Sequence, residues 1–261
     1  MMTAPALAWM TAATEVLGRI AATQAEAIEE ASRWCADALA ADGLVHLFGT
    51  GHSRIPVEEM VPRYGSYPGF HPIVELSMTF HSQVVGANGQ RQAMFIERVP
   101  GLAEVILSNF AFGPADVMMV FSASGLSAVP IEIARGARQR RLKVIAVTSV
   151  AQSMSGDPDP RIGTRLLDEA DLVIDLCTPD ADALIDVEGL DTPVGPGSTL
   201  ASVAIVNSVK VRTAQLLAER GSMPAVITRA SVVGSERSSE LFDAAYLDHA
   251  RRIARAIARE G

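Results

Sequence analysis

The sequence predicts a three-layer α/β/α protein: a mainly parallel sheet of about five strands, helices that precede it, and a C-terminal helical extension. Three observations carry that expectation. Short apolar runs at 44–48, 73–76, 117–121, 144–147 and 172–176 alternate with stretches of helical periodicity. Each run is apolar throughout rather than alternating, the pattern of a strand covered on both faces. Three of the runs break into small, hydroxyl-rich turns, and open parallel sheets bind ligands at those strand ends.

In chain order, residues 6–41 carry Val16, Ile20, Ala27, Ala31, Trp34 and Leu39 at helical spacing, interrupted only by Gly18, and predict one long or two shorter helices. Asp42-Gly43 ends them, and the 44–48 strand leads into Gly49-Thr50-Gly51-His52-Ser53-Arg54. A short helix over 55–61 starts with Pro56, where proline is tolerated, and stops before Pro62. Residues 63–71 read as a Gly/Pro/Tyr loop, 73–76 as a strand, 80–89 as irregular, and 92–110 as a helix that Pro100-Gly101 interrupts.

The 117–121 strand breaks into Ser122-Ala123-Ser124-Gly125-Leu126-Ser127 just before an Ile/Ala-patterned helix over 131–137. The strand at 144–147 ends in Thr148-Ser149, a short helix is expected over 164–170, and 172–176 is the last strand. Residues 178–198 mix acidic residues with Pro and Gly and read as a mobile loop. A strongly apolar helix over 198–220 stops at Gly221, and an amphipathic helix over 239–260 carries Arg251, Arg252, Arg255 and Arg259 on what reads as a solvated face.

The serine-rich turn is the chemical centre of this pattern. The first N–H groups of a helix lack intrahelical partners and lie at the positive end of its dipole, so they attract anions. Three serines add hydroxyl donors, and Gly125 lets the backbone approach a ligand. The alternative is that Ser127 is only a helix cap and Ser122 and Ser124 are ordinary loop polars.

Composition narrows the partners. A chain of 261 residues, 49% apolar, can bury a substantial core. A net charge of −8 with one short basic cluster at 138–143 excludes nucleic acid and an anionic membrane as the main partner. Cys35 and Cys177 lie far apart without metal-like spacing and read as core thiols in a reducing compartment. Neither a basic leader with a long apolar run nor a stretch of bilayer length is present, so cytoplasmic residence is expected. The histidines form no metal-ligand pair, and 49–54 lacks the third glycine of a dinucleotide fingerprint, so neither metal nor cofactor is expected.

With these residues in place, the chain resembles the sugar isomerase (SIS) domain, the phosphosugar-binding α/β fold of phosphoheptose isomerases and of the isomerase half of glucosamine-6-phosphate synthase. The resemblance spans 31–221 and rests on Gly49-Thr50-Gly51-His52-Ser53, on Ser122-Ala123-Ser124-Gly125-Leu126-Ser127, and on the following strand with Thr148-Ser149. It implies that Ser122, Ser124 and Ser127, with Ser53, hold a substrate phosphate, and that Gly51, Gly125, Thr148 and Ser149 also bind the substrate. It divides the chain into an N-terminal helical segment (1–42), the SIS domain (43–221) and an extension (222–261). Glu58-Glu59-Met60-Val61-Pro62-Arg63-Tyr64 is similar to the segment carrying the catalytic glutamate of phosphoheptose isomerases, at Glu59, although the preceding helix is about one turn shorter.

A histidine those enzymes place on their last long helix has no counterpart in 198–220, and Gly197-Ser198-Thr199 is similar instead to N-acetylmuramic acid 6-phosphate etherases. In those proteins the catalytic glutamate lies upstream of the serine-bearing strand, where Glu97 is the nearest candidate. The whole arrangement most resembles uncharacterised bacterial SIS proteins of the phosphosugar isomerase type.

Aldose–ketose isomerisation needs a base that moves a proton between adjacent carbons and an acid that opens the ring. Glu59 is the expected base, with a solvated surface glutamate as its plain alternative. His52 is the expected proton-transfer partner beside the phosphate, or a phosphate donor only. His71 and His81 are further acid candidates or loop histidines without a role, Asn88 is placed to reach a sugar hydroxyl, and Arg63 supports phosphate or Glu59. The expected function is therefore cofactor-independent isomerisation of a sugar phosphate, with an amino-sugar phosphate lyase or etherase and a non-catalytic phosphosugar sensor as alternatives. The family's habit implies a homo-oligomer, dimer or tetramer, built on the N-terminal helices and the 198–220 helix.

Overall fold

The computed structural model describes residues 5–79 and 89–257. Five strands, β1 (Val45–Gly49), β2 (Phe70–Ile73), β3 (Val117–Phe121), β4 (Lys143–Thr148) and β5 (Leu172–Asp175), form one parallel sheet in the order β2-β1-β3-β4-β5. The continuous apolar runs have the burial they predict, every residue of β1 and β3 being buried. Alternate residues feed two cores, since successive side chains of a strand point to opposite faces. Val45, Leu47, Val117, Met119, Ile145 and Ile174 pack with α1 (Ala8–Thr23), α2 (Ala25–Ala40) and the long α9 (Ser198–Glu219). Phe48, Met118, Val120, Val144 and Ala146 pack with α5 (Leu102–Leu107) and α6 (Ala128–Gln139).

The remaining elements are α3 (Ile55–Met60), α4 (Gln90–Ile96), α7 (Val150–Ser155), α8 (Leu166–Glu169), α10 (Ala230–Val233) and α11 (Ser235–Ile257), with an antiparallel pair β6 (Ala183–Ile185) and β7 (Val194–Pro196). No described helix is long and apolar enough to cross a membrane.

Several expectations are corrected. The N-terminal helices part at Gln24, not Gly18, which sits inside α1; an isolated glycine weakens a helix by roughly 0.5–1 kcal/mol without ending it. The second strand is Phe70–Ile73 rather than 73–76, because β2 is an edge strand and tolerates Pro72 there. The segment 178–198 contains the β6/β7 pair, pinned where the Trp9 indole donates to the Gly195 carbonyl at 3.2 Å. Composition weighted its acids and prolines and gave no weight to that tertiary anchor.

The arginine face of α11 is solvated only in part: Arg251 and Arg255 are exposed, whereas Arg252 is not. Arg252 is buried and donates to the carbonyls of Leu39 and Gly43 as well as to Asp248, while Arg251 and Arg255 clasp Asp42. Those guanidiniums, Arg251 foremost, hold the Asp42 carboxyl well below the usual carboxylate range. Arg259 lies outside the described residues.

His71 is also not a loop residue. It lies within β2 in register with His46, and the two imidazole Nδ1 atoms are 2.8 Å apart. His46 Nε2 in turn bonds Asp116, which also accepts the N–H groups of Leu44 and Gly113. Burial pushes His71 down to about 3, with His46 the second cause. This chain braces the N-terminal half of the sheet, at the pole opposite the serine turn.

Candidate functional site

The strand order fixes where a ligand site can form. The chain runs outward from β1 to β2 and then returns to place β3 on the other side of β1. The β1/β3 boundary is therefore the switch point of the sheet, the place beyond the strand ends where open α/β sheets form a ligand crevice. Gly49 pairs with Phe121 and Phe121 with Val147, so the turns after β1, β3 and β4 leave the sheet side by side at one pole.

The turn after β1 is tight for a definite reason. A Cβ on Gly49 would lie 2.2 Å from the Ser53 carbonyl oxygen, so only glycine lets the chain fold back at this point. Gly51 adopts φ +53°, and the Ser53 N–H donates to the Thr50 carbonyl at 2.9 Å. His52 is exposed and Ser53 half-buried.

In the turn after β3, Ser122 Oγ is an acceptor for the Gly125 N–H at 3.2 Å, which leaves its own proton uncommitted among the described residues. Ser124 is half-buried and its hydroxyl has no partner among them. Gly125 has φ +62° and packs against Thr148 and Leu166. Ser127 precedes α6 but its side chain does not cap the helix. The N–H of Val129 is taken by the Glu97 carbonyl and Pro130 has none, so the helix end offers fewer donors than its position alone suggests. The N–H groups of Ser124, Leu126, Ser127 and Ala128 have no acceptor among the described residues.

Thr148 and Ser149 take different parts. Both are fully buried; Thr148 donates to the Ala123 carbonyl, and Ser149 donates to the Thr178 carbonyl while capping α7. They hold the serine turn from behind. Asn88 and His81 lie outside the described residues.

The side chain that joins the first two turns is Glu97, the C-cap of α4. Thr50 donates its hydroxyl to Glu97 Oε2 at 2.6 Å, and Ser127 donates to Oε1 at 3.0 Å. Hydrogen bonds to a carboxylate are about twice as strong as neutral ones, and the Thr50 bond has the short length typical of them. One carboxylate thus spans the switch point. Glu59 is placed otherwise: on α3 its carboxylate accepts from Arg63 at 2.8 Å and from Asn207 at 3.4 Å, and its carbonyl accepts from the buried Lys210 amine. Burial pushes that amine below its usual range. Glu59 therefore faces α9. Position upstream of the serine-bearing strand was the one sequence signal for Glu97, whereas Thr50 stood inside the Gly49-Thr50-Gly51-His52-Ser53 motif without a role assigned to it.

Two cavities lie elsewhere. One of about 590 Å³ opens between α11 and the N-terminal strand ends, lined by Asp42, Asp116, Arg252 and Arg255, and one of about 440 Å³ is lined by Arg19, Cys177 and Asp186. Neither contains a residue of the serine turn. No cluster of three or more His, Cys, Asp or Glu suited to a metal occurs among the described residues.

Comparison with known proteins adds to this geometry. The model of a family described as SIS domain matches residues 8–149, a span that includes α1 and α2. A UPF0309 protein of Streptomyces coelicolor is 31% identical over 232 residues, covering 88% of this chain and 90% of its own. One of Brucella abortus is 35% identical over 222 residues, covering 85% and 88%. A solved phosphoheptose isomerase from Francisella tularensis is 14% identical, with a TM-score of 0.52 over 79% of this chain and 95% of its own; what is shared at that identity is the fold.

Proposed function

Since the chain belongs to the SIS domain family, we propose that its β1/β3 crevice binds a phosphorylated sugar and that the protein isomerises it, aldose to ketose, with Glu97 as the base. The observation that carries this reading is the Glu97 carboxylate held by Thr50 and Ser127 across the switch point. The phosphate sits on the N–H groups of Ser124, Leu126, Ser127 and Ala128 and on those serine hydroxyls whose protons are uncommitted, at the N-terminal end of α6. Ser53 lies on the facing turn and adds a donor.

In this reading Glu97 takes the proton from the carbon beside the substrate carbonyl and returns it to the neighbouring carbon. The hydroxyl proton passes to the former carbonyl oxygen, so substrate and product are isomers. His52, exposed at the rim, is the acid for ring opening. Glu59, turned to Arg63 and Asn207, keeps α3 against α9. The part played by Glu97 also supports a second reading, a lyase acting on an amino-sugar phosphate, because elimination begins with the same proton abstraction. Self-association belongs to the same proposal, and a monomer in light scattering at micromolar concentration would refute it.

The test is proton exchange. In deuterated buffer, hexose, heptose and amino-sugar phosphates are incubated with the wild type, Glu97→Gln and Glu59→Gln and followed by NMR. Loss of a general base lowers the rate by about 10²–10⁴-fold, and this is expected for Glu97→Gln alone. Full exchange in Glu97→Gln would overturn the assignment, and a sensor would show no exchange in any variant.

A further inference from the structure

The three serines of the turn differ in one respect that their spacing does not reveal: where each hydroxyl proton goes. A hydroxyl has one proton, and both a carboxylate and a phosphate dianion only accept. Ser127 and Thr50 each give that proton to Glu97, at 3.0 and 2.6 Å. Neither can donate to a phosphate while it does so. Ser122 accepts from the Gly125 N–H and keeps its proton, and Ser124 has no side-chain partner among the described residues. The N–H groups of Ser124, Leu126, Ser127 and Ala128 are likewise uncommitted there.

Charge points the same way. An anionic phosphate beside the Glu97 carboxylate would be repelled, and the more strongly the closer the two charges lie. The phosphate is better placed at the Ser122–Ser124 end of the turn, with the sugar carbons toward Glu97.

We infer that the motif is divided in function: Ser122 and Ser124 hold the phosphate, whereas Ser127, together with Thr50, is a positioning residue that orients the Glu97 carboxylate. This rests on the proposed binding of a sugar phosphate in the crevice and assigns roles within it. The division follows from the hydrogen bonds rather than from the order of the serines, which treats all three alike.

The experiment has two arms. Binding of inorganic phosphate is measured by calorimetry for the wild type, Ser124→Ala, Ser127→Ala and Ser127→Thr. Ser124→Ala should weaken binding at least about fivefold, about 1 kcal/mol, the net worth of one hydrogen bond, while Ser127→Ala stays within about twofold. In the second arm, solvent-deuterium exchange into the preferred sugar phosphate is measured for Ser127→Ala, Glu97→Gln and the double variant. Ser127→Ala should lower kcat and leave KM, Ser127→Thr should restore kcat, and the double variant should match Glu97→Gln, because residues acting through one group are not additive. Equal loss of phosphate affinity in Ser124→Ala and Ser127→Ala, or additive rate losses, would overturn the division. If the wild type exchanges no proton on any sugar phosphate, the isomerase reading fails while the phosphate arm still decides the division. If it binds no phosphate, the site itself fails.

Discussion

Replacing Gly49 by alanine tests the turn on which the crevice depends. The added Cβ would sit 2.2 Å from the Ser53 carbonyl oxygen and 2.7 Å from its carbon, both backbone atoms that no rotamer change can move. The turn must recede until the contact exceeds 3.0 Å. Overpacking of this kind costs about 1–3 kcal/mol. A shift of the turn also stretches the Thr50–Glu97 bond at 2.6 Å, and a hydrogen bond to a charged group contributes about 1.5–3 kcal/mol. Against this, alanine narrows the unfolded ensemble and returns about 0.4–1 kcal/mol.

The net expectation for Gly49→Ala is a loss of roughly 2–5 kcal/mol, a fall in Tm of roughly 4–10 °C at about 2 °C per kcal/mol for a chain of this size, and weakened phosphate binding. Scanning calorimetry and a phosphate titration read both effects. Gly18→Ala is the control: its site is helical with nothing within 4 Å of the added carbon, so it should gain about 0.5–1 kcal/mol. A Gly49→Ala protein with wild-type Tm and wild-type phosphate affinity would refute the description of the turn and the role given to it.

Two further expectations concern the rest of the molecule. His71 titrates lower in the folded protein, at about 3 against an ordinary 6.5, so between those values the unfolded chain binds the extra proton. Stability should therefore fall as pH drops through that window, with a slope approaching about 1.4 kcal/mol per pH unit. His249, also pushed down by burial, and Asp116, held low by His46 although its own burial opposes this, act in the same direction. Denaturant titrations from pH 7 to 4 should show this acid limb, and it should be shallower in His71→Phe. Cys35 is fully buried and pushed up to about 12, whereas Cys177 is part-exposed; a thiol reagent at pH 8 should label one cysteine in the folded protein and both in denaturant.

The sequence made some parts of this molecule readable and hid others for physical reasons. Continuous apolar runs revealed β1, β3 and β4, because strands covered on both faces have no polar alternation; β5 shows the same run although it is an edge strand with only Ile174 buried. Edge strand β2 was displaced by Pro72, a residue that only its edge position excuses. The β6/β7 pair was hidden because a contact that anchors it comes from Trp9, far away in sequence. At the site, the small turns after β1 and β3 were legible as strand-to-glycine breaks, and the sheet order sets them side by side. The roles of individual hydroxyls were not legible. Ser127 read as a cap or a phosphate donor, and its bond to Glu97 depends on α4 crossing the switch point. Thr148 and Ser149 looked like ligand groups because their polarity was visible and their complete burial was not.

The central claim is that an anionic sugar tail rests on the turn between β3 and α6. An amide-resolved NMR titration with a hexose 6-phosphate tests it most directly. The account predicts saturable shifts centred on the amides of Ser124, Leu126, Ser127 and Ala128, with the β1 turn following. Shifts confined to the residues around Arg252 and Arg255, with the serine turn unmoved, would contradict it.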